Sequence, residues 1–288
     1  MKPRDRIVTA VECRREEILE VIRNARETLE LSLFRANDIE IFEELARATK
    51  RGVRVEALIT TRAKGGKKKL KKLWTELERV GATVYPYTEP VVKYHAKYLV
   101  ADDGPAVVAS FNFTRKCFRK TNDAMVITYD PDVVAGLKAL IAADRALGPL
   151  PTGLTTRLIV GPELARQQYI ELFAQARTSI RLIDAKVSDP DLVTLLNARR
   201  ATGLIVEVFA SRRLGSLKSH GKLLLIDDRV AVVGSLALTA ISLGFRREVA
   251  IKVDDPEAVA EMRQLFQTIE AEPVAGRIGG ANGAEVRL

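Results

Sequence analysis

The chain repeats itself, and the repeat restricts its fold more than any other feature. Residues 25–29 (ARETL) match 176–180 (ARTSI), and 52–56 (GVRVE) match 203–207 (GLIVE), both 151 positions apart. Further on the spacing shortens. His95 pairs with His220, Asp102 with Asp227, Ser110 with Ser235, Thr114 with Thr239 and Pro131 with Pro256, each 125 apart. The first half therefore carries 26 extra residues between Gly52 and His95. A sequence duplicated at this length specifies two similar units packed as one molecule.

Both units give the same coarse pattern. Helices are expected at 16–26 and 163–176, then strands at 28–34 and 179–183. Helices at 38–50 and 190–200 follow, then apolar strands at 53–59 and 204–209. Hairpins come next: strands 94–101 and 106–110 in the first half, 222–226 and 230–234 in the second, with Asp-rich turns. Alternating helices and strands with hairpins predict an α/β fold, two pseudo-twofold-related halves of mixed sheet flanked by helices. The halves are expected at 1–147 and 154–272, joined by a Gly/Pro-rich stretch at 147–153. The Gly/Ala-rich end at 273–288 reads as a flexible tail. At 288 residues and 47% hydrophobic content, the chain can build a sizeable core.

Charge is concentrated in the insertion. Arg62, Lys64, Lys67, Lys68, Lys69, Lys71 and Lys72 include no acidic neighbour, and without them the net charge of +9 falls to +2. Such a run suits a polyanion, either nucleic acid or an anionic membrane surface; the plainer alternative is a solvated lysine face. Leu70, Leu73, Leu77 and Val80 form a helical stripe. It places the lysines at a helix N-terminus, where the dipole disfavours cations by about 0.3–1 kcal/mol. Trp74 is expected to pack inward. No apolar run approaches the ~20 residues of a membrane helix, and no signal-peptide h-region follows Met1. Two cysteines are too few for a disulfide scaffold or a zinc site. These features read as a cytoplasmic chain needing no metal or cofactor.

Only two histidines are present, and both lie in one pattern: His95, Lys97 and Asp102, repeated as His220, Lys222 and Asp227. Chance would give both His residues this Lys and Asp about once in 10⁵. Residues two apart on a strand share a face, so each Lys points with its His. A phosphodiester has a poor alkoxide leaving group, and its displacement is in line. Two imidazoles from opposite sides fit that demand, one attacking phosphorus and the other protonating the leaving oxygen. The lysines hold the phosphate oxygens.

With these residues the chain resembles the phospholipase D superfamily over about 15–265. Its two H-x-K-x4-D motifs are those just described. Six residues after each Asp the family carries G-S-x-N; here the copies are Ala109-Ser110-Phe111-Asn112 and Gly234-Ser235-Leu236-Ala237. The resemblance implies that Ser110, Asn112 and Ser235 help hold phosphate and that Asp102 and Asp227 are mainly architectural. It also implies that Asp123 and Glu248 match the position of a Glu hydrogen-bonded to the catalytic imidazole. Ala237 lacks the amide, and Asp123 is one methylene short of Glu. The half with Asn112 makes His95 the favoured nucleophile. All these groups lie in one chain, so a monomer suffices.

Substrate is the less constrained part. The segment at 110–114 resembles small endonucleases of the superfamily. Arg115, Lys116, Arg119 and Lys120 follow it, and Arg212, Arg213 and Lys218 precede His220. With the lysines at 67–72, these cations favour a nuclease on DNA or RNA, acting through a phosphohistidine. The alternatives are a phospholipid hydrolase or phosphatidyltransferase using the same residues, and a nucleic-acid-binding scaffold with little turnover. The absence of an exposed Phe or Trp beside the basic helix is read as weighing against a membrane role.

Overall fold

The computed structural model describes residues 4–62, 66–209 and 216–271. Arg212, Arg213, Lys64 and the tail from 272 lie outside the described residues. The first half runs β1 (Asp5–Val8), α1 (Arg14–Asn24), β2 (Thr28–Leu33), α2 (Ile39–Lys50), β3 (Arg54–Thr60), α3 (Lys67–Arg79) and β4 (Thr83–Tyr87). It continues through β5 (Lys93–Tyr94), β6 (Tyr98–Ala101), β7 (Ala106–Ala109), α4 (Cys117–Lys120), β8 (Thr121–Asn122), β9 (Met125–Thr128) and α5 (Pro131–Ala146). The second runs β10 (Leu158–Gly161), α6 (Ala165–Gln175), β11 (Ser179–Ile183), α7 (Pro190–Ala201), β12 (Ile205–Val208) and β13 (Lys218–Ser219). It ends with β14 (Leu223–Ile226), β15 (Val230–Gly234), α8 (Ala240–Phe245), β16 (Arg246–Val253) and α9 (Pro256–Ala271).

Two mixed sheets result. One has the order β1-β9-β7-β6-β2-β3-β4, the other β10-β16-β15-β14-β11-β12. The insertion accounts for their difference: α3 covers the edge and β4 adds a parallel strand to β3. As the stripe predicts, Leu73, Leu77 and Val80 are buried and Trp74 packs against the same core.

Strand periodicity divides the core into three layers. Leu99, Ala101, Val107 and Ile127 face outward against α1, α2 and α3, and Leu224, Ile226 and Val232 do the same against α6 and α7. The alternate residues Tyr98, Val100 and Val108 face inward, as do Leu223, Leu225 and Val233. Between them lie α5, through Val133, Leu137 and Leu140, and α9, through Val259, Met262 and Phe266. Each such side chain contributes about 1.5–3 kcal/mol on burial, so parting the halves would expose one shared core. The matched prolines at 131 and 256 open these two central helices; Pro at the first turn has no amide to leave unpaired. Asp130 caps α5 by accepting from the amides of Asp132 and Val133.

One expectation changes in kind. The predicted strand at 94–101 is two segments: β6 stays in the first sheet, while β5 pairs in parallel with β16 of the other half. The amide of His95 continues that ladder by donating to the Arg247 carbonyl at 2.9 Å. Likewise β13, just before His220, pairs with β8 of the first half. The chain thus crosses between halves immediately before each histidine.

Candidate active site

The crossings bring each imidazole to a carboxylate of the opposite half. His95 Nδ1 bonds the Glu248 carboxylate, and His220 Nδ1 sits 3.0 Å from both oxygens of Asp123. Holding Nδ1 leaves Nε2 of each ring for other partners. Lys97 Nζ lies 3.3 Å from His95 Nδ1, and Lys222 donates to the His220 carbonyl at 2.7 Å. The side chain of His95 is 17% exposed and that of His220 33%.

Matching positions of the two halves stand beside the two carboxylates. Ser242, 125 residues after Cys117, bonds Glu248 through its hydroxyl, while the Cys117 sulfur lies within 4.8 Å of Asp123 and His220. Thr239 and Thr114 accept the amides of Ser242 and Cys117 in turn. Two arginines that sequence analysis missed lock the flanking backbone. Buried Arg14 donates to the carbonyls of Thr9, Thr121 and Asp123. Buried Arg247 bonds Asp144 at 2.7 Å and forks onto Glu163 at 2.6 and 2.8 Å. Neither lies in a motif, because each acts on backbone or acids distant in sequence.

Electrostatics separates the rings. Burial pushes His95 well below its ordinary 6.5, and Lys97, Lys222, Arg246 and Lys93 add to the effect. Burial also lowers Lys97 to about 7, against the attraction of Glu248, and raises Glu248 to about 7 despite Lys97. Asp123 behaves oppositely: burial opposes its charge, but the hydrogen bond and charge of His220 outweigh that and hold it below 3.8.

The motif aspartates stand away from this chemistry. Asp102 accepts the amides of Arg26, Glu27 and Thr28 at 2.8–2.9 Å, and Asp227 those of Arg177, Thr178 and Ser179 at 2.7–3.0 Å. Each fixes the entry to the strand beside its own. The serines, expected from the resemblance to help hold phosphate, are bonded within the protein. Ser110 is buried, donating to Asp123 at 2.7 Å and accepting from the Ala124 amide; Ser235 is buried and bonds the backbone of Val249. Their hydroxyls are committed to positioning the carboxylate strands. Asn112 Oδ1 is buried without a hydrogen-bond partner among the described residues. Gly234 is required by packing, since a Cβ there would sit 2.3 Å from Ala250 Cα; its counterpart Ala109 faces Met125 instead.

Among the described residues, one group has metal-ligand character: Cys117, Asp123 and His220. It mixes the sulfur, oxygen and nitrogen donors that zinc accepts. Two of its three members are already joined as the imidazole–carboxylate pair. The cations Lys67, Lys68, Lys69, Lys71 and Lys72 are exposed on α3, and Arg115, Lys116, Arg119 and Lys120 are exposed around α4. On α8, the counterpart of α4, Ile241 is 61% and Phe245 55% exposed, at the positions matching Lys116 and Lys120. The expectation of no exposed aromatic held for α3, but Phe245 provides one on the helix whose other face braces Glu248.

A family model described as cardiolipin synthase, PLD-like domain, matches residues 18–145 and 206–269. The chain belongs to the phospholipase D superfamily. A search of curated proteins finds no match. Phosphatidylserine synthase from Haemophilus influenzae Rd KW20 superposes with a TM-score of 0.74 at 14% identity, covering 93% of this chain and 86% of that one. Polyphosphate kinase from Porphyromonas gingivalis gives 0.73 at 17%, over 91% of this chain; the match spans 46% of the kinase, about half its length. Nuc from Salmonella typhimurium, a phospholipase D family member, aligns with 51% of the chain at a TM-score of 0.45 and 22% identity. The superfamily assignment rests on the family model, whose description does not single out an endonuclease branch. No described helix is long and apolar enough to cross a membrane.

Proposed function

We propose that the protein cleaves or transfers phosphodiesters through a covalent phosphohistidine, with a phospholipid headgroup diester as substrate. The observation that carries the chemistry is the reciprocal pairing of His95 with Glu248 and His220 with Asp123. His95, held neutral by burial and four cations, attacks phosphorus through Nε2. His220, with ionised Asp123 accepting its Nδ1–H, gives its Nε2 proton to the leaving alkoxide. The P–O bond breaks as the N–P bond forms. A water or alcohol then gives its proton to His220, attacks phosphorus and releases His95. Lys97 and Lys222 offset the charge on the phosphoryl oxygens.

Two features support a lipid. The matching family is described by cardiolipin synthase. The helices beside the two carboxylates present Ile241 and Phe245 on one side, and Arg115, Lys116, Arg119 and Lys120 on the other. Apolar insertion beside cations suits an anionic bilayer surface. Purified protein should process phosphatidylglycerol in vesicles. Ile241→Glu/Phe245→Glu should lose that activity while still hydrolysing bis(p-nitrophenyl) phosphate. Equal loss on both substrates, or cleavage of oligonucleotide but never lipid, would reject the lipid reading. The lysines of α3 favour the nuclease as second reading, since exposed cations without carboxylate partners bind any phosphate backbone.

A further inference from the structure

The two histidines sit in unequal surroundings, and the inequality lies in residues outside the motifs. Lys93 precedes His95 by two on the β5 segment, and Arg246 precedes Glu248 by two on β16. These strands are paired with Lys93 directly opposite Arg246. Period-two geometry therefore sets a cation pair beside the His95–Glu248 pair, on the same face. Lys93 Nζ lies 5.3 Å from the ring centre of Phe34, which meets the His95 ring edge-on at 4.4 Å. Lys97 Nζ lies 5.4 Å from that centre and the Arg35 guanidinium 5.2 Å, so these cations surround one aromatic ring.

Among the described residues, little negative charge offsets Lys93 and Arg246. Glu248 is 3.9 Å from Arg246 and is already bonded to His95 and Ser242. Arg246 Nε is buried with no hydrogen-bond partner among the described residues. Nearby Arg62 spends its guanidinium on the carbonyls of Glu89, Pro90 and Val92, which leaves its charge unneutralised. Burial and then Arg246, Arg35 and Arg62 all weaken the hold of Lys93 on its proton. At the corresponding place beside His220 the pair is Lys218 opposite Thr121, and residue 185, matching Phe34, is Ala185.

We infer that Lys93 and Arg246 form a second anion subsite beside His95, which takes a phosphate group next to the one under attack. This rests on the phosphodiester reading of the site and extends it to substrate choice. Diesters bearing an adjoining phosphate, as in a pyrophosphate linkage, are favoured over single-phosphate diesters. They enter in one direction, with the second phosphate on the His95 side. Lys93 and Lys97 both lie within 5.4 Å of the Phe34 ring centre, and the subsite is taken to hold a phosphate directly bonded to the one under attack rather than one spaced by a sugar.

Inhibition of bis(p-nitrophenyl) phosphate hydrolysis by inorganic phosphate, inorganic pyrophosphate and thymidine 3′,5′-bisphosphate tests this, with EDTA present. Pyrophosphate should inhibit at a concentration about tenfold or more below phosphate, as expected for one added charge-assisted contact. Lys93→Gln should bring that ratio near one. Lys218→Gln, which removes the same charge beside the other histidine, should leave it. Equal inhibition by the two anions in the wild type, or a preference that survives Lys93→Gln or falls equally in Lys218→Gln, overturns the subsite. A preference for the bisphosphate over pyrophosphate overturns the directly bonded arrangement. Should the diester not be hydrolysed, the phosphodiester reading fails separately. Thermal stabilisation by pyrophosphate against phosphate, in wild type and Lys93→Gln, then decides the subsite.

Discussion

His95 and His220 follow matching short strands of a duplicated fold, yet they are not equivalent. His95 is the deeper ring, edge-on to Phe34, with a carboxylate whose own charge burial disfavours. His220 is twice as open and faces a carboxylate that stays ionised. Duplication supplied two copies of one element, and on the proposed mechanism their surroundings divide the labour. A neutral, crowded imidazole suits attack, and an accessible one backed by a charged carboxylate suits proton delivery.

The largest effect that could break this division is loss of either ring. His95→Ala and His220→Ala should each lower kcat on an alkyl diester by about 10³–10⁴-fold or more, because nucleophile and acid act as a unit. On bis(p-nitrophenyl) phosphate the two should part company. Its leaving group needs no acid, so His220→Ala should still build an acid-labile phosphoramidate on His95, seen as a mass increase, whereas His95→Ala should form none. Label accumulating on His220 instead would reverse the roles.

The carboxylates should follow their rings. Glu248→Gln and Asp123→Asn should each cost about 10²–10⁴-fold, by analogy with orienting carboxylates elsewhere, without unfolding the protein. Next comes pH. kcat/KM should fall above about 7 as Lys97 loses its proton, and on the acid side only well below 6.5, where His95 gains one. Both limbs belong to the coupled cluster. Lys97→Arg, always charged, should move the alkaline limb upward; an unmoved limb assigns it elsewhere.

Smaller and equal in the two halves should be the motif aspartates. Asp102→Ala and Asp227→Ala should each cost about 1–2 kcal/mol of stability through lost amide caps, read by denaturant melts. The folded enzyme should keep its turnover. Both carboxyls are held below 3.8 by backbone bonds that outweigh burial. Their contribution is therefore present above 3.8 and lost as pH falls through the lowered values. Least of all, Ala237→Asn should raise kcat/KM by under about tenfold, by restoring the amide that Asn112 has in the first half.

The sequence disclosed the duplication, the order of helices and strands, and the two His/Lys/Asp sets, because these are local patterns at fixed spacing. It pointed to Asp123 and Glu248 but could not say which ring each lies against. That pairing depends on β5 and β13, two-residue strands too short for any periodic signal. Arg14 and Arg247 were invisible for the same reason, since their partners are backbone carbonyls and acids up to 109 residues away. The resemblance offered Ser110 and Ser235 for phosphate, and no local pattern could foretell that both hydroxyls are buried and bonded to Asp123 and Val249. Phe245 escaped notice because α8 has six residues, and exposure on so short a helix is fixed by packing rather than by pattern.

The exchange of carboxylates across the halves also governs how such a chain can change. A substitution that tilts β16 is felt at the histidine of the other repeat, and one near α4 is felt at His220. Neither copy is free to drift while its twin preserves the old chemistry, which is the usual licence that duplication grants. Here each repeat is custodian of its neighbour's proton. The surviving freedom lies around the rings, in positions such as Phe34, Arg246 and Ile241, where the two copies have already become different.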